Sequence, residues 1–588
     1  MTQMNTDYHG DLIINVFARR PPGRRSNPPS RRGGDCFAPL AMTLRDCLCV
    51  RLLNFFSGLI YHLKNVMLNR TAVKHLLKAG EFITWTFIFT LSYCQSVLFT
   101  SNQNQYFLHG LAKAGFGYLR EDWLANTQDP TPLFSLLVYM TYHLLRSEVV
   151  FYLYYPLLMG VYLYSIVGIV KQVIPGLVDS RVKTLAFYTL VVVIHSAAIR
   201  VLLLRGLGTN WEYLLEGGVA GQRLLGNVLQ PSCFGVFLVF SIYLFLRGRP
   251  FWAITAGVLA VAFHPTYLLS AAFLTMAYML VIYLEHRDIR KPLYLGLLAL
   301  LLVSPIVAYV YATFFGSDPA ATAQARDVMA NYRLPHHTWI SQWFDLSVIV
   351  QVLLVLAALY ILRKSRLFWI MLLPFLMVLA LTLLQVFLQN DNLALLFPWR
   401  FSVVLVPLST CIVTASLLSK VFERLPSEPA LLSIKQDKFM VGFCSVILLG
   451  LMIVGVFKFS LDLREKQSSP ERAMMSFVAQ NKSKGQFYLI PIKMQDFRLA
   501  TGAPVFIEYK SIPYTDREVL EWYSRILKAS RFYRTTIPNT VCDLLARFAM
   551  DYGITHVVLE NGYAEPPCLS GYRLYGDRYY TVYKLPYN

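Results

Sequence analysis

Charge is scarce in this sequence. Asp, Glu, Lys and Arg make up 15% of its 588 residues, and 56% are hydrophobic, whereas ordinary globular domains carry about 25% charged residues. That shortage excludes a chain of several soluble domains. It also excludes a disordered chain, which combines low hydrophobicity with high charge. Cysteine is sparse as well, nine in all, so a secreted disulfide scaffold is out. The formal charge of +20 invites a nucleic-acid reading, but the basic residues sit at one end and between apolar runs. No nucleic-acid partner is expected.

What the sequence has in abundance is long apolar runs, near 81–100, 149–170, 184–204, 232–246, 251–264, 266–284, 292–312, 347–362, 367–388, 401–418 and 439–460. Runs of this length suit a bilayer core. Residues 1–80 hold twelve Lys/Arg against four Asp/Glu, including Arg19-Arg20 and Arg24-Arg25, and are too Pro/Gly/Arg-rich to build a core. They lack an apolar h-region and read as a disordered basic cytoplasmic tail, or as residues ahead of a true start at Met42 or Met67. With that end in the cytoplasm and 133–147 read as a helix lying on the far face, the loops 171–183, 247–250, 285–291, 363–366 and 420–438 are cytoplasmic. They carry fifteen Lys/Arg in 47 residues, and the opposite loops, 101–148, 205–231, 313–346 and 389–400, carry eight in 121. This asymmetry follows the positive-inside rule. Eleven spans result, N-terminus inside and C-terminus outside.

The fold class expected is therefore an α-helical polytopic membrane protein of about eleven transmembrane helices, 81–460, with a small extracytoplasmic α/β domain over 465–588. In that domain Phe487–Ile490, Val505–Ile507, His556–Leu559 and Tyr579–Leu585 read as strands, and Asp516–Lys528 and Val541–Tyr552 as helices, the latter capped by Gly553. Cys542 and Cys568 are the one plausible disulfide if the compartment is oxidising. Cys94, Cys233, Cys411 and Cys444 fall in apolar runs and read as small buried hydrophobes. Asp516, Glu518 and Glu521 read as a solvated helix face. Tyr514, Trp522, Tyr523, Phe532 and Tyr533 beside Arg525, Lys528, Arg531 and Arg534 suggest a surface that stacks on sugar rings. On that reading the tail positions an acceptor, and its deletion spares donor binding.

The first outer loop, 101–148, is the most informative stretch. It carries Asn102-Gln103-Asn104-Gln105, a helical pattern over 103–118, then Glu121-Asp122-Trp123 and Asp129-Pro130-Thr131-Pro132. Carboxylates against a bilayer act as general bases or hold a divalent cation; the alternative is turn residues and a helix cap. Glu121, Asp122 and Asp129 are the catalytic candidates. No cofactor is implied with certainty, and a divalent metal stays open.

Asn102–Tyr106, Gly110-Leu111-Ala112 and Pro130-Thr131-Pro132-Leu133-Phe134 resemble the first-loop order of the GT-C superfamily of membrane glycosyltransferases, and the topology resembles theirs too. The chain departs from the family pattern at Asn102–Gln105, where an acidic pair usually stands, and looks like an uncharacterised bacterial branch. The resemblance implies an inverting transfer from a polyprenyl-phosphate sugar to a glycan, lipid or protein acceptor, at the outer face of a bacterial inner membrane and in contact with membrane lipids. It directs attention to cations near that face: Arg400 in Phe397-Pro398-Trp399-Arg400, Arg333 with His336 and His337, and Arg200, which lies within an apolar run beside His195. Guanidinium grips phosphate bidentately; interfacial anchoring and snorkelling are the alternatives. His264 at a hairpin tip, Glu212, Glu216 and Arg223 around Gly217-Gly218, and Asn102 and Gln105 are further substrate-binding candidates. Two other classes remain: a flippase for lipid-linked glycan, though no internal repeat is evident, and a non-catalytic scaffold subunit of a surface-glycan assembly complex.

Overall fold

The long apolar runs fold as helices because a helix satisfies every backbone group internally while turning apolar side chains outward. A computed structural model describes residues 70–316, 318–424, 430–562 and 565–587. The basic segment up to 69 lies outside the described residues, as do 425–429 of the 420–438 loop. Backbone packing makes one compact unit of the described residues from Trp85 on.

Helix α1 (Arg70–Tyr93) ends earlier than its apolar run, and the chain leaves it at Cys94 with a left-handed backbone. The first loop then holds two short helices, α2 (Gln103–Tyr106) and α3 (Leu108–Lys113), and the amphipathic α4 (Pro132–Leu145). Next comes α5 (Phe151–Val173). The run at 184–204 is two helices, α6 (Arg181–Ile194) and α7 (Ala197–Leu207), bent by 49°. Ser196 causes the break: its backbone is extended and its hydroxyl accepts from Ile199 N, as an N-cap does.

After a loop, α8 (Val236–Leu246) and α9 (Pro250–Phe263) form an apolar pair, and His264-Pro265-Thr266 turns the chain into α10 (Leu268–His286). Helix α11 (Arg290–Phe314) follows, then a loop holding α12 (Pro319–Asp327). Helices α13 (Leu346–Leu362), α14 (Arg366–Leu388), α15 (Ser402–Arg424) and α16 (Ala430–Gln467) complete the helical part. Among the described residues, six helices are long and apolar enough to cross a membrane, or seven if the bent pair is one span. Several turn large apolar side chains outward, among them Leu300, Leu301, Phe387 and Val446.

The tail begins at α17 (Arg472–Asn481) and contains α18 (Asp516–Arg534), α19 (Pro538–Tyr552) and a four-stranded sheet. The strands are β1 (Tyr488–Leu489), β2 (His556–Glu560), β3 (Arg573–Gly576) and β4 (Tyr580–Lys584), in order β1-β2-β4-β3. β1 and β2 run parallel and the other pairs antiparallel. Val505–Ile507 contributes only a bridge from Val505 to Tyr488. The sheet is covered on both faces, as the period of two reveals: Val557 and Tyr583 pack with Trp522 and Ile526, while Val558 and Val582 pack with Met474 and Val478. Gly553 caps α19 in the left-handed region, and Cys542–Cys568 is a disulfide. Cys94, Cys233, Cys411 and Cys444 are buried free thiols.

Two expectations about the tail are corrected. Trp522 and Phe532 are core residues, so they cannot stack on an external sugar. Asp516 and Glu518 are half-buried rather than freely solvated: Asp516 accepts from Thr322 Oγ1 and Glu518 from Gln128 N, both in other loops.

Candidate functional site

The loops between helices gather on the tail, and buried charge fastens them. Asp122 is fully enclosed. Its Oδ1 caps the turn by accepting from Leu124 N and Ala125 N, and its Oδ2 accepts from Arg498 Nε at 2.8 Å and Val505 N at 2.9 Å. Arg498 in turn donates to Glu508 Oε1 at 3.0 Å. A carboxylate so occupied has no lone pair left for a substrate proton, and Asp122 acts instead as the anchor of a buried ion triad. Glu121 is exposed and accepts from Gly485 N. The amide run serves the same docking: Asn104 donates to Asp496 Oδ1, Gln105 to Tyr514 Oη, and Gln103 to Leu229 O. Asn102 makes no side-chain cap bond.

Asp129 is different. It is buried, Oδ1 accepts from Thr131 N, and Oδ2 has no partner among the described residues. Its negative charge reaches His109, whose Nε2 donates to Thr127 O at 3.1 Å and whose burial pulls its pKa down. His109, Thr131, Pro130, Gln105 and Tyr106 line a cavity of about 10 Å³, room for about one water.

Tyr106 joins that cavity to a cluster of cations. Its ring lies 6.1 Å from His264, and the charges of Arg400 and Arg333 oppose the burial that raises its phenol pKa. Arg400 Nη1 donates to His264 Nε2 at 3.1 Å and to Thr266 Oγ1 at 2.8 Å. An imidazole that accepts at Nε2 is neutral and carries its proton on Nδ1, and that buried Nδ1 has no partner. Arg333, 9% exposed, comes from the π-turn Val328–Arg333 and donates through Nη2 to Lys510 O at 2.7 Å. The Nε atoms of both arginines are buried without partners. His337 donates through Nδ1 to Ala220 O, which brings the glycine-rich loop of Arg223 against it. Burial, and then His336, hold the His337 pKa well below the usual histidine range, with Arg400 and Arg333 adding to the effect. His336 is pushed down to about 4 by burial, Arg333 and Lys510.

Among the described residues no carboxylate forms an ion pair with Arg333, Arg400, Arg223 or Lys510, whereas Arg200 pairs with Glu216 at 3.0 Å. Arg200 also lies over the Tyr93 ring and donates to the Tyr93 and His195 carbonyls. It belongs to a buried knot in which burial raises Glu216 to about 7 against the charges of Arg200 and Arg223, and Arg200 shares the Tyr213 ring with Arg223. Glu212 reaches Arg223 only through its field, and Arg223 stacks on Tyr213 at 3.8 Å.

The fold thus brings together Arg400, His264, Arg333, His336, His337, Arg223 and Gln105, and sets apart Arg200, Glu216, Glu121 and Asp122. Sequence reasoning missed Lys510, Arg498, Glu508, Tyr106 and His109, and read Tyr514 as part of a sugar-stacking surface rather than as the partner of Gln105. Only His109 and Tyr106, beside the amide run, stood near a signal. Among the described residues no group of three or more His, Cys, Asp or Glu is placed to hold a metal. Arginines desolvated without counter-ions are suited to binding an anion.

Comparison with known proteins adds one finding on the tail. A search of curated proteins finds no match, and residues 469–529, which carry Arg498, Glu508 and Lys510, match the family model of a domain of unknown function, DUF6798.

Proposed function

We propose that the chain is a membrane glycosyltransferase of about eleven spans, with its N-terminus in the cytoplasm and its loops and tail on the extracytoplasmic face of a bacterial inner membrane. It transfers a sugar from a polyprenyl-phosphate-linked donor to a glycan, lipid or protein acceptor. The observation that carries the reading is a pair of arginines, Arg400 and Arg333, whose buried Nε atoms have no partner among the described residues and which lie beside the neutral imidazoles of His264, His336 and His337. A lipid phosphate entering from the bilayer supplies the charge they lack, and they stabilise that phosphate as it departs. The acceptor hydroxyl loses its proton to Asp129, whose Oδ2 is free. The acceptor oxygen then bonds to the anomeric carbon as the bond from that carbon to the phosphate oxygen breaks.

Asp129→Asn is the test, made in cells deleted for the gene and complemented. Lipid-linked sugars should accumulate and the surface glycan should fall as in the deletion, because removal of a general base costs about 10²–10⁴-fold. Wild-type turnover in that variant rules out Asp129 as the base. The structural use of the amide run favours a second reading, a scaffold subunit without chemistry. Unchanged lipid-linked sugars in the deletion strain select it.

A further inference from the structure

The cation cluster has two lobes. Arg400 and His264 form one, tied by their hydrogen bond and by the turn at Thr266. Arg333 and Lys510 form the other, tied through the Lys510 carbonyl, and the charges of Arg333 and Arg223 both reach Lys510. The charges of Arg400 and of Arg333 both reach His337, which is fixed by Ala220.

Lys510 comes from the tail, and its place is built rather than incidental. Glu508 accepts from the backbone N–H groups of Lys510 and Ser511, and Arg498 holds Glu508 within the Asp122 triad. Glu508 is thereby occupied, and no carboxylate pairs with the Lys510 ammonium among the described residues. Burial and Arg333 pull the Lys510 pKa down to about 8, against the pull of Glu508, as crowding with like charge requires.

Counting charge narrows the ligand. A lipid phosphate esterified to a sugar is a diester with one negative charge, and the corresponding diphosphate carries two. Arg400, Arg333 and Lys510 supply three positive charges in two lobes, whereas Arg223 is offset by the field of Glu212 and acts on Glu216. A single phosphoryl diester leaves one lobe and most of that charge unmatched.

We propose that the donor head group is a diphosphate, with one phosphoryl group held by Arg400 and His264 and the other by Arg333 and by Lys510 of the tail. This rests on the reading of the cluster as a lipid-phosphate site. The tail is then part of the donor site rather than a remote acceptor module.

The full chain in detergent with EDTA can be titrated with farnesyl phosphate, farnesyl diphosphate and inorganic pyrophosphate. Farnesyl diphosphate should bind at least about tenfold tighter than the monophosphate, the effect of one further charge-assisted contact. Lys510→Gln should erase that preference, and Lys510→Arg should retain it. Equal affinity for the two farnesyl esters, both lost in Arg400→Gln, overturns the diphosphate and leaves the phosphate site standing. Inorganic pyrophosphate binding as tightly as the farnesyl ester overturns the lipid-linked donor. Failure of all three ligands to bind removes the phosphate site and the diphosphate together.

Discussion

Protonation at His336 links the cation cluster to stability. The group titrates near 6.5 in an unfolded chain and is held at about 4 in the fold, by burial first and by Arg333 and Lys510 after it. Between those values the unfolded chain binds more protons, so stability is present above about pH 6.5 and is lost as pH falls toward about 4. His336→Gln should therefore reduce the drop in melting temperature between pH 7 and pH 5. An undiminished drop shows that other groups set the acid limit. The same residues show how far the sequence could be read. Arg333, His336, His337 and Arg400 were legible because basic residues are rare in those loops. Their convergence with His264 was not, because it depends on the turn at Pro265 meeting the turn at Pro398, 133 residues on. Asp122 and Asp129 look alike in sequence. Only Arg498, 376 residues away, distinguishes the anchored carboxylate from the free one.

Helices were legible at the level of elements because apolar length and turn chemistry are local signals. The break at Ser196 and the short β1 depend on packing and could not be placed. Docking between elements was invisible for the same reason, and it produces a close backbone contact between the first loop and the tail. Gly117 and Gly502 meet back to back, both with left-handed backbones (φ +54° and +70°). Tyr118 N donates to Gly502 O across them at 2.8 Å. A Cβ on Gly117 would lie 2.3 Å from the Gly502 oxygen, closer than any carbon can approach. Gly117→Val combines that clash with a backbone strain of about 1–3 kcal/mol, and Asp122 is anchored five residues on. Loss of at least that much stability is expected, with the first loop becoming sensitive to protease. A variant as stable and as resistant as wild type would mean that the loop does not rest on the tail in this way.

The whole molecule turns on which side of the membrane its loops occupy. Charge asymmetry between the two loop sets is the sequence argument, and the disulfide Cys542–Cys568 is the structural one, since such bonds persist in oxidising compartments. The four free thiols of the helical part are buried, so with Cys36, Cys47 and Cys49 replaced by Ser the background for thiol labelling is low. Lys482 is half-buried and donates to Ala479 O, whereas Lys484 is exposed. A cysteine at Lys484 should react with an impermeant maleimide in spheroplasts. One at Lys364, exposed in the turn between α13 and α14, should react only after the membrane is permeabilised. The first loop and the tail share a buried ion pair, Asp122 with Arg498, so they must occupy the same side. The converse labelling pattern would place the cation cluster in the cytoplasm. A donor loaded on the outer leaflet could not then reach it, and an outer-face transferase would be excluded whatever the cluster binds.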